Sequence, residues 1–167
     1  MRIEKEFYRK DAVELAQSLL GKVICRNWNG EVLRGRITET EAYMCFDSAC
    51  HAYRGKTKRN APLFEVGGKA YVYLCYGIHE LFNIVSGEVG NAQAVLIRGV
   101  EGAAGPGRAT KFLKIDRSLN GIDLVESDEL WLEDDGFSFN SFEAKTRIGI
   151  DYADEIDRNR LWRFVAK

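Results

Sequence analysis

The pair Asn29-Gly30 constrains this chain more than any other two residues. Asn-Gly tolerates positive φ at both central positions of a turn whose twist matches that of two antiparallel strands. It lies in the turn Asn27-Trp28-Asn29-Gly30, between runs at about 22–27 and 31–43, and the second run carries Ile37-Thr38-Glu39-Thr40-Glu41, rich in β-branched residues. A hairpin is predicted here. Further strands are read at about 69–76, 81–87, 93–100, 129–133, 145–149 and 161–165. A helix is predicted from Asp11 to Leu20: Asp11 and Glu14 resemble a capping box, Ala12, Leu15, Ala16 and Leu19 recur at helical spacing, and Gly21 ends it. A second, short helix opens at Gly105-Pro106-Gly107 and runs to Ile115, and residues 44–68 read as loop. The predicted architecture is α+β: one domain over residues 1–167, with a curved, mostly antiparallel sheet flanked by a few short helices.

A chain of 167 residues with 46% apolar side chains can bury roughly 70% of its unfolded surface. No apolar run reaches the length of a membrane span, and the first residues lack a signal-peptide hydrophobic region. The expectation is an intracellular, cytoplasmic protein that does not engage a membrane and acts as a monomer. Cys25, Cys45, Cys50 and Cys75 fall at no paired spacing, so reduced thiols are expected. Zinc held by Cys45, Cys50 and His51 with Cys75 or His79 is an alternative that no C-x-x-C pair supports, and the reading is of no metal and no cofactor.

Strand side chains alternate, which places Glu39, Glu41 and Tyr43 on one face and Tyr71 and Tyr73 together on another. With His51 between the two runs, a carboxylate, tyrosines and an imidazole can meet around a flat, electron-poor ring awaiting attack by water. Each feature also has an ordinary explanation. A strand carboxylate is usually solvated, and tyrosine-rich strands are mostly half-buried core. The net charge of −1 argues against a generally basic nucleic-acid surface. The charge is nevertheless segregated. Arg54, Lys56, Lys58 and Arg59 form one basic cluster, and Arg98, Arg108, Lys111 and Lys114 form another. Acidic runs lie at Glu126 to Glu129, Glu133-Asp134-Asp135 and Asp151 to Asp157. Such polarity suits a polyanion on one face, or else these runs are solvated loops.

Taken in order, Thr38 to Tyr43, His51, Thr57-Lys58-Arg59-Asn60, Tyr71-Val72-Tyr73, Tyr76-Gly77, Asn83, Val95 to Arg98 and Gly105-Pro106-Gly107 resemble the 3-methyladenine DNA glycosylases of the alkyladenine (methylpurine) class. The resemblance runs from about residue 11 to the C-terminus. It implies Glu41 as the general base that activates water and Arg98 as an arginine that helps hold it. It implies Tyr43, His51 and Tyr73 as walls of a pocket for a flipped base, with Asn83 at its edge obstructing the amino group of normal guanine. Tyr76 matches a wedge that fills the gap left in the duplex, and Lys58, Arg59, Gly107, Arg108 and Lys111 fall in segments that grip the DNA backbone. Three departures stand out. The stretch from Val100 to Gly105 is much shorter than usual, so a surface helix is missing. Met44-Cys45-Phe46 replaces a commoner Gly-Pro, and Arg108 stands where lysine is common.

The implied chemistry is consistent with elementary energetics. Hydrolysis of an N-glycosidic bond passes through an oxocarbenium-like sugar, so one carboxylate can deprotonate water and stabilise positive charge. Purines alkylated at N3 or N7, such as 3-methyladenine and 7-methylguanine, are cationic and leave readily. Aromatic faces favour such cations by about 0.5–2 kcal/mol per good contact. Flipping costs a few kcal/mol, less at a damaged pair. No lysine is placed to form a Schiff base, so the expectation is a monofunctional glycosylase of double-stranded DNA whose substrates extend to hypoxanthine or ethenoadenine. Two rivals are a damage-binding protein that does not cut, which predicts a missing carboxylate, and a hydrolase of small nucleosides, which predicts no wedge and no basic rim.

Overall fold

The computed structural model describes residues 1–167. Its first hairpin joins β1 (Val23–Trp28) to β2 (Glu31–Tyr43), with Trp28 opposite Glu31. Asn29 and Gly30 adopt φ of 53° and 85°, the two positive values that the sequence required. Ahead of it α1 (Ala12–Ser18) starts at Asp11, whose side chain accepts from the Glu14 N–H at 2.9 Å. Ala12, Leu15 and Ala16 are fully buried against the sheet, and Gly21, at φ 89°, turns the chain out of the helix.

Six strands follow in pairs or short excursions: β3 (Ala70–Cys75), β4 (His79–Val85), β5 (Ala94–Val100), β6 (Ala103–Ala104), β7 (Leu130–Glu133) and β8 (Phe142–Lys145); β9 (Arg163–Ala166) closes the chain. The strands form one curled, antiparallel sheet in the order β3-β4-β5-β2-β1-β7, with β6 on β5 and the β8–β9 pair on β2. The 13-residue β2 is the spine: residues 31–36 pair with β1, and 37–43 lie between β5 and β9. Irregularities between Ile37 and Thr40 mark the bend between those halves. The main core lies on one face, where α1 and α2 (Pro106–Phe112) cover Ala42, Val72, Phe82, Ile84, Val95 and Ile97. The predicted α+β class and curved sheet are as found.

One predicted strand is not. Residues 146–149 leave the ladder after Lys145, because the Ile148 N–H is taken by a carboxylate and the Arg147 guanidinium turns inward to another. Short elements without a clear periodic signal were also missed: the two-residue β6, α3 (Glu155–Arg158), and the 3₁₀ turns Lys5–Arg9 and Arg117–Leu119. No helix is long and apolar enough to cross a membrane.

Candidate active site

Register carries the site. On the face opposite the main core, Tyr71, Asn83, Leu96, Glu41 and Arg163 are direct partners in one row across β3, β4, β5, β2 and β9. Alternation places Tyr73 and Tyr43 on that same face. The side chains that the sequence suggested would share a surface therefore do so, and they bound a cleft of about 720 Å³. Tyr43, His51, Tyr73, Asn83 and Arg98 line it, with Tyr76, Gly107 and Arg108 at its rim-forming segments.

Glu41 stands behind this lining, fully buried. Its Oε1 accepts from the Tyr43 hydroxyl at 2.8 Å and from Arg98 Nη1 at 3.3 Å, and its Oε2 accepts from the Ile148 N–H at 2.8 Å. A carboxylate has about four acceptor positions, so three bonds leave one lone pair open. Burial pushes the Glu41 pKa above the ordinary carboxylate value, against the pull of Arg98, the Ile148 amide, Tyr43 and Arg147. A carboxylate held this way is more basic than a solvated one, which suits a general base. Glu39, the other acid on this face, is committed to Arg163 at 2.9 Å and lies 3.8 Å from Arg98.

His51 and the tyrosines form the aromatic wall. The His51 and Tyr73 ring centroids are 4.3 Å apart, those of Tyr71 and Tyr73 5.5 Å, and His51 Nδ1 shares a hydrogen bond with the Tyr71 hydroxyl at 3.1 Å. Burial, aided by the nearby Arg59 charge, lowers the His51 pKa below its usual value, so the ring is neutral at pH 7. Burial raises the Tyr43 hydroxyl well above the usual phenol range, and the Glu41 charge adds to it. Asn83 donates from Nδ2 to the Tyr71 carbonyl at 3.2 Å, fixing its amide at the cleft edge.

Tyr76 caps the β3–β4 hairpin and is 88% exposed. It sits at φ 52°, followed by Gly77 at 67°, and the Ile78 N–H closes the turn on the Cys75 carbonyl. A bulky aromatic with positive φ is strained, and strain of this kind clusters at functional sites.

The remaining predicted residues divide. Arg108 and Gly107 reach the cleft at the start of α2, whereas Lys58 and Lys111 are exposed outside it. The Arg59 guanidinium lies 5.8 Å from the Tyr73 ring, in a second groove on the far side of the His51–Tyr73 wall. The acidic runs explain the low net charge. Glu133, Asp134 and Asp135 pair with Arg34, Lys22 and Arg36 at 2.7–2.8 Å on the β1–β2 side of the sheet. Arg54, Lys56, Lys58, Arg59, Arg108 and Lys111 enter no ion pair. The acids neutralise other cations; of the unpaired ones Arg108 lines the cleft and Arg54 and Arg59 line the second groove. No three His, Cys, Asp or Glu side chains come together as a metal set, so the zinc alternative has no site here.

Sequence reading placed Tyr71 beside Tyr73 without assigning it a role, and missed Tyr152, which lines the cleft and donates to the Ala49 carbonyl at 2.9 Å, and the Asp47, Arg147 and Ile148 group. Tyr71 was legible from its alternation with Tyr73. Nothing local marks Asp47 and Arg147, which are 100 residues apart.

The family model described as Methylpurine-DNA glycosylase matches residues 6–104 and 100–167. Similar proteins named as candidate 3-methyladenine DNA glycosylases include one from Borrelia garinii subsp. bavariensis, 44% identical over 179 residues, covering 99% of this chain and 96% of its own. One from Clostridium perfringens strain 13 is 41% identical over 199 residues, covering 100% and 96%, and one from Natranaerobius thermophilus is 40% identical over 193, with the same coverage. These alignments are longer than the 167 residues present, and the family match divides at 100–104. There the structure has only the turn Glu101-Gly102, with Gly102 at φ 82°, between β5 and β6. The shortened segment is thus closed by a minimal hairpin, and Arg98 stands on β5 at the register shift opposite Glu39 and Thr40.

Proposed function

This chain belongs to the methylpurine-DNA glycosylase family, and we propose that it receives an alkylated purine, flipped from duplex DNA, in the cleft walled by Tyr43, His51 and Tyr73. The family activity is hydrolysis of N-glycosyl bonds in DNA repair. In the mechanism we favour, Glu41 takes a proton from water through its open lone pair while the water oxygen bonds to C1′. The C1′–N bond breaks, and its electron pair neutralises the departing cationic purine. Arg98 holds Glu41 and the water in place, and the carboxylate charge stabilises the oxocarbenium-like sugar. A neutral His51 adds a polarisable wall without repelling a cationic base. Tyr76 enters the duplex, Asn83 obstructs the exocyclic amino group of guanine, and Lys58, Arg59, Arg108, Lys111 and the Gly107 backbone hold phosphates of a duplex bound by one protein copy.

The observation that carries this reading is Glu41 itself: a fully buried carboxylate with three donors, at the back of an aromatic cleft. The cleft lining contains no lysine, which supports hydrolysis without Schiff-base lyase chemistry. The test is base release from duplexes carrying 3-methyladenine, 7-methylguanine, hypoxanthine and ethenoadenine, with Glu41→Gln and the free methylated nucleosides in parallel. The proposal requires release from at least one duplex lesion, loss of roughly 10²–10⁴-fold in the variant, and no comparable cleavage of nucleosides. Release by Glu41→Gln within a few-fold of wild type would overturn the base assignment. Cleavage of nucleosides as fast as duplex would overturn the DNA reading.

A further inference from the structure

Glu41 receives one of its three hydrogen bonds from a backbone amide 107 residues away, so something must hold that amide in place. The residue before it, Arg147, is buried, and both terminal nitrogens of its guanidinium are bonded while Nε finds no partner. Nη2 donates to Asp47 Oδ1 at 3.0 Å and to the Asp157 carbonyl at 3.0 Å; Nη1 donates to the Ala42 carbonyl at 3.0 Å and to Asp47 Oδ2. The plane of the guanidinium lies against aromatic rings, its carbon 4.8 Å from the Tyr43 centroid and 5.1 Å from that of Trp162. Asp47 is also fully buried, and its other bond, to the Ala49 N–H at 3.0 Å, shapes the loop after β2.

The network continues to the surface. The Ser48 N–H and hydroxyl both donate to Asp157 Oδ2, at 2.9 and 2.5 Å, and the Ser48 hydroxyl accepts from the Asp154 N–H at 2.9 Å. Arg160 closes on Asp157 Oδ1 at 2.9 Å. The Arg147–Asp47, Ser48–Asp157 and Asp154–Ser48 bonds tie the segment 146–160 to the loop 44–50, and Ile148 sits at its cleft-facing end. A buried ion pair gives little net stability over apolar residues of the same volume, but it fixes one geometry. Here that geometry aims an N–H at the carboxylate.

We propose that Arg147, clamped by Asp47, is a positioning residue for the glycosylase reaction: it acts through the Ile148 amide and not on the substrate. This rests on Glu41 being the general base. Around Glu41 the charged and titratable groups are Arg98 of β5, Tyr43 and Glu39 of β2, Arg163 of β9, Tyr73 of β3, Tyr152 of the segment after β8 and Arg147 itself. Arg98, Tyr43 and the Ile148 amide bond the carboxylate directly. Arg147→Lys keeps the positive charge and removes the planar fork, so it tests the geometry apart from the charge.

The experiment is single-turnover release of methylated purines from dimethyl-sulfate-treated duplex DNA between pH 5 and 9, for wild type, Arg147→Lys, Ser48→Ala and Glu41→Gln. Loosening the amide removes a donor that favours ionised Glu41, so the midpoint of the acid limb should move up by about one pH unit in Arg147→Lys. The rate on the alkaline plateau should stay within about threefold, and affinity for the methylated duplex should not change. Ser48→Ala, which loosens the same lattice from its edge, should shift the midpoint in the same direction by less. An unmoved midpoint with reduced amplitude, in step with the folded fraction, overturns the inference. If Arg147→Lys does not fold, Ser48→Ala decides, and an unmoved midpoint there overturns it equally. Glu41→Gln separates the two levels: near-normal release would sink the base assignment, whereas an inactive Glu41→Gln beside an unshifted Arg147→Lys sinks only the positioning role.

Discussion

The Tyr43 hydroxyl donates to Glu41 Oε1 at 2.8 Å from two residues further along the same strand. Tyr43 is therefore wall and clamp at once: its ring faces the cleft while its oxygen holds the carboxylate. Tyr43→Phe keeps the ring and removes the donor. A hydrogen bond to a charged group contributes about 1.5–3 kcal/mol, so the Glu41 pKa should rise further. Base release should fall more at pH 6 than at pH 8, with lesion affinity retained. Equal losses at both pH values would show that the hydroxyl does not act on the carboxylate.

Burying the Glu41 charge has a stability cost. Because its folded pKa is raised, folding favours the protonated form: this contribution is fully present below the unfolded pKa and is lost as pH rises through the folded one. Glu41→Gln should therefore melt higher than wild type at pH 7–8, by about 2–4 °C for each 1 kcal/mol gained, and the gap should narrow as pH falls. A variant that melts lower at neutral pH would mean that its bonds outweigh its desolvation.

Tyr76 offers the same kind of trade. Asn accepts positive φ far better than Tyr, and Asn-Gly is the preferred pair for this turn. Tyr76→Asn should stabilise the hairpin by up to about 1 kcal/mol while lowering the ratio of lesion to undamaged duplex affinity. Thermal melting and duplex titration read the two effects separately. Lost stability with unchanged preference would mark Tyr76 as a packing residue.

Binding should depend on salt despite the net charge of −1. Each neutralised phosphate contributes roughly 0.9 to the slope of log affinity against log salt, and about three to five contacts are expected from the unpaired Arg54, Lys56, Lys58, Arg59, Arg108 and Lys111. Lys58→Glu or Lys111→Glu should weaken damaged and undamaged duplex alike. A slope near zero would return these side chains to the solvent.

Gly107 is a matter of space. A Cβ there would lie 2.8 Å from His79 Nδ1 and 3.2 Å from its Cβ, so the His79 side chain must swing aside or α2 must shift. Gly107→Ala should weaken duplex binding and cost about 1–3 kcal/mol of stability. Adding His79→Ala should recover both, which a melting and binding series on the double variant will show.

Local rules determined much of this protein. Asn29-Gly30 specified its hairpin, Asp11 the helix start, and two-residue alternation placed Glu41 with Tyr43 and Tyr71 with Tyr73. Those features depend on neighbours in sequence, where turn chemistry and the pleat act directly. Tertiary pairing decided the rest. The row from Tyr71 through Asn83 and Leu96 to Glu41 exists because β3, β4, β5 and β2 take one register. The same folding pairs the acidic run at Glu133–Asp135 with Arg34, Lys22 and Arg36, leaving Arg108 unpaired at the cleft and Arg54 and Arg59 unpaired in the second groove. It also turned a predicted strand at 145–149 into an inward loop, because Arg147 finds Asp47 and Ile148 finds Glu41 only once β9 lies beside β2. Bonds between residues about 100 positions apart leave no periodicity in the chain, since their partners are chosen by the packed sheet and not by spacing.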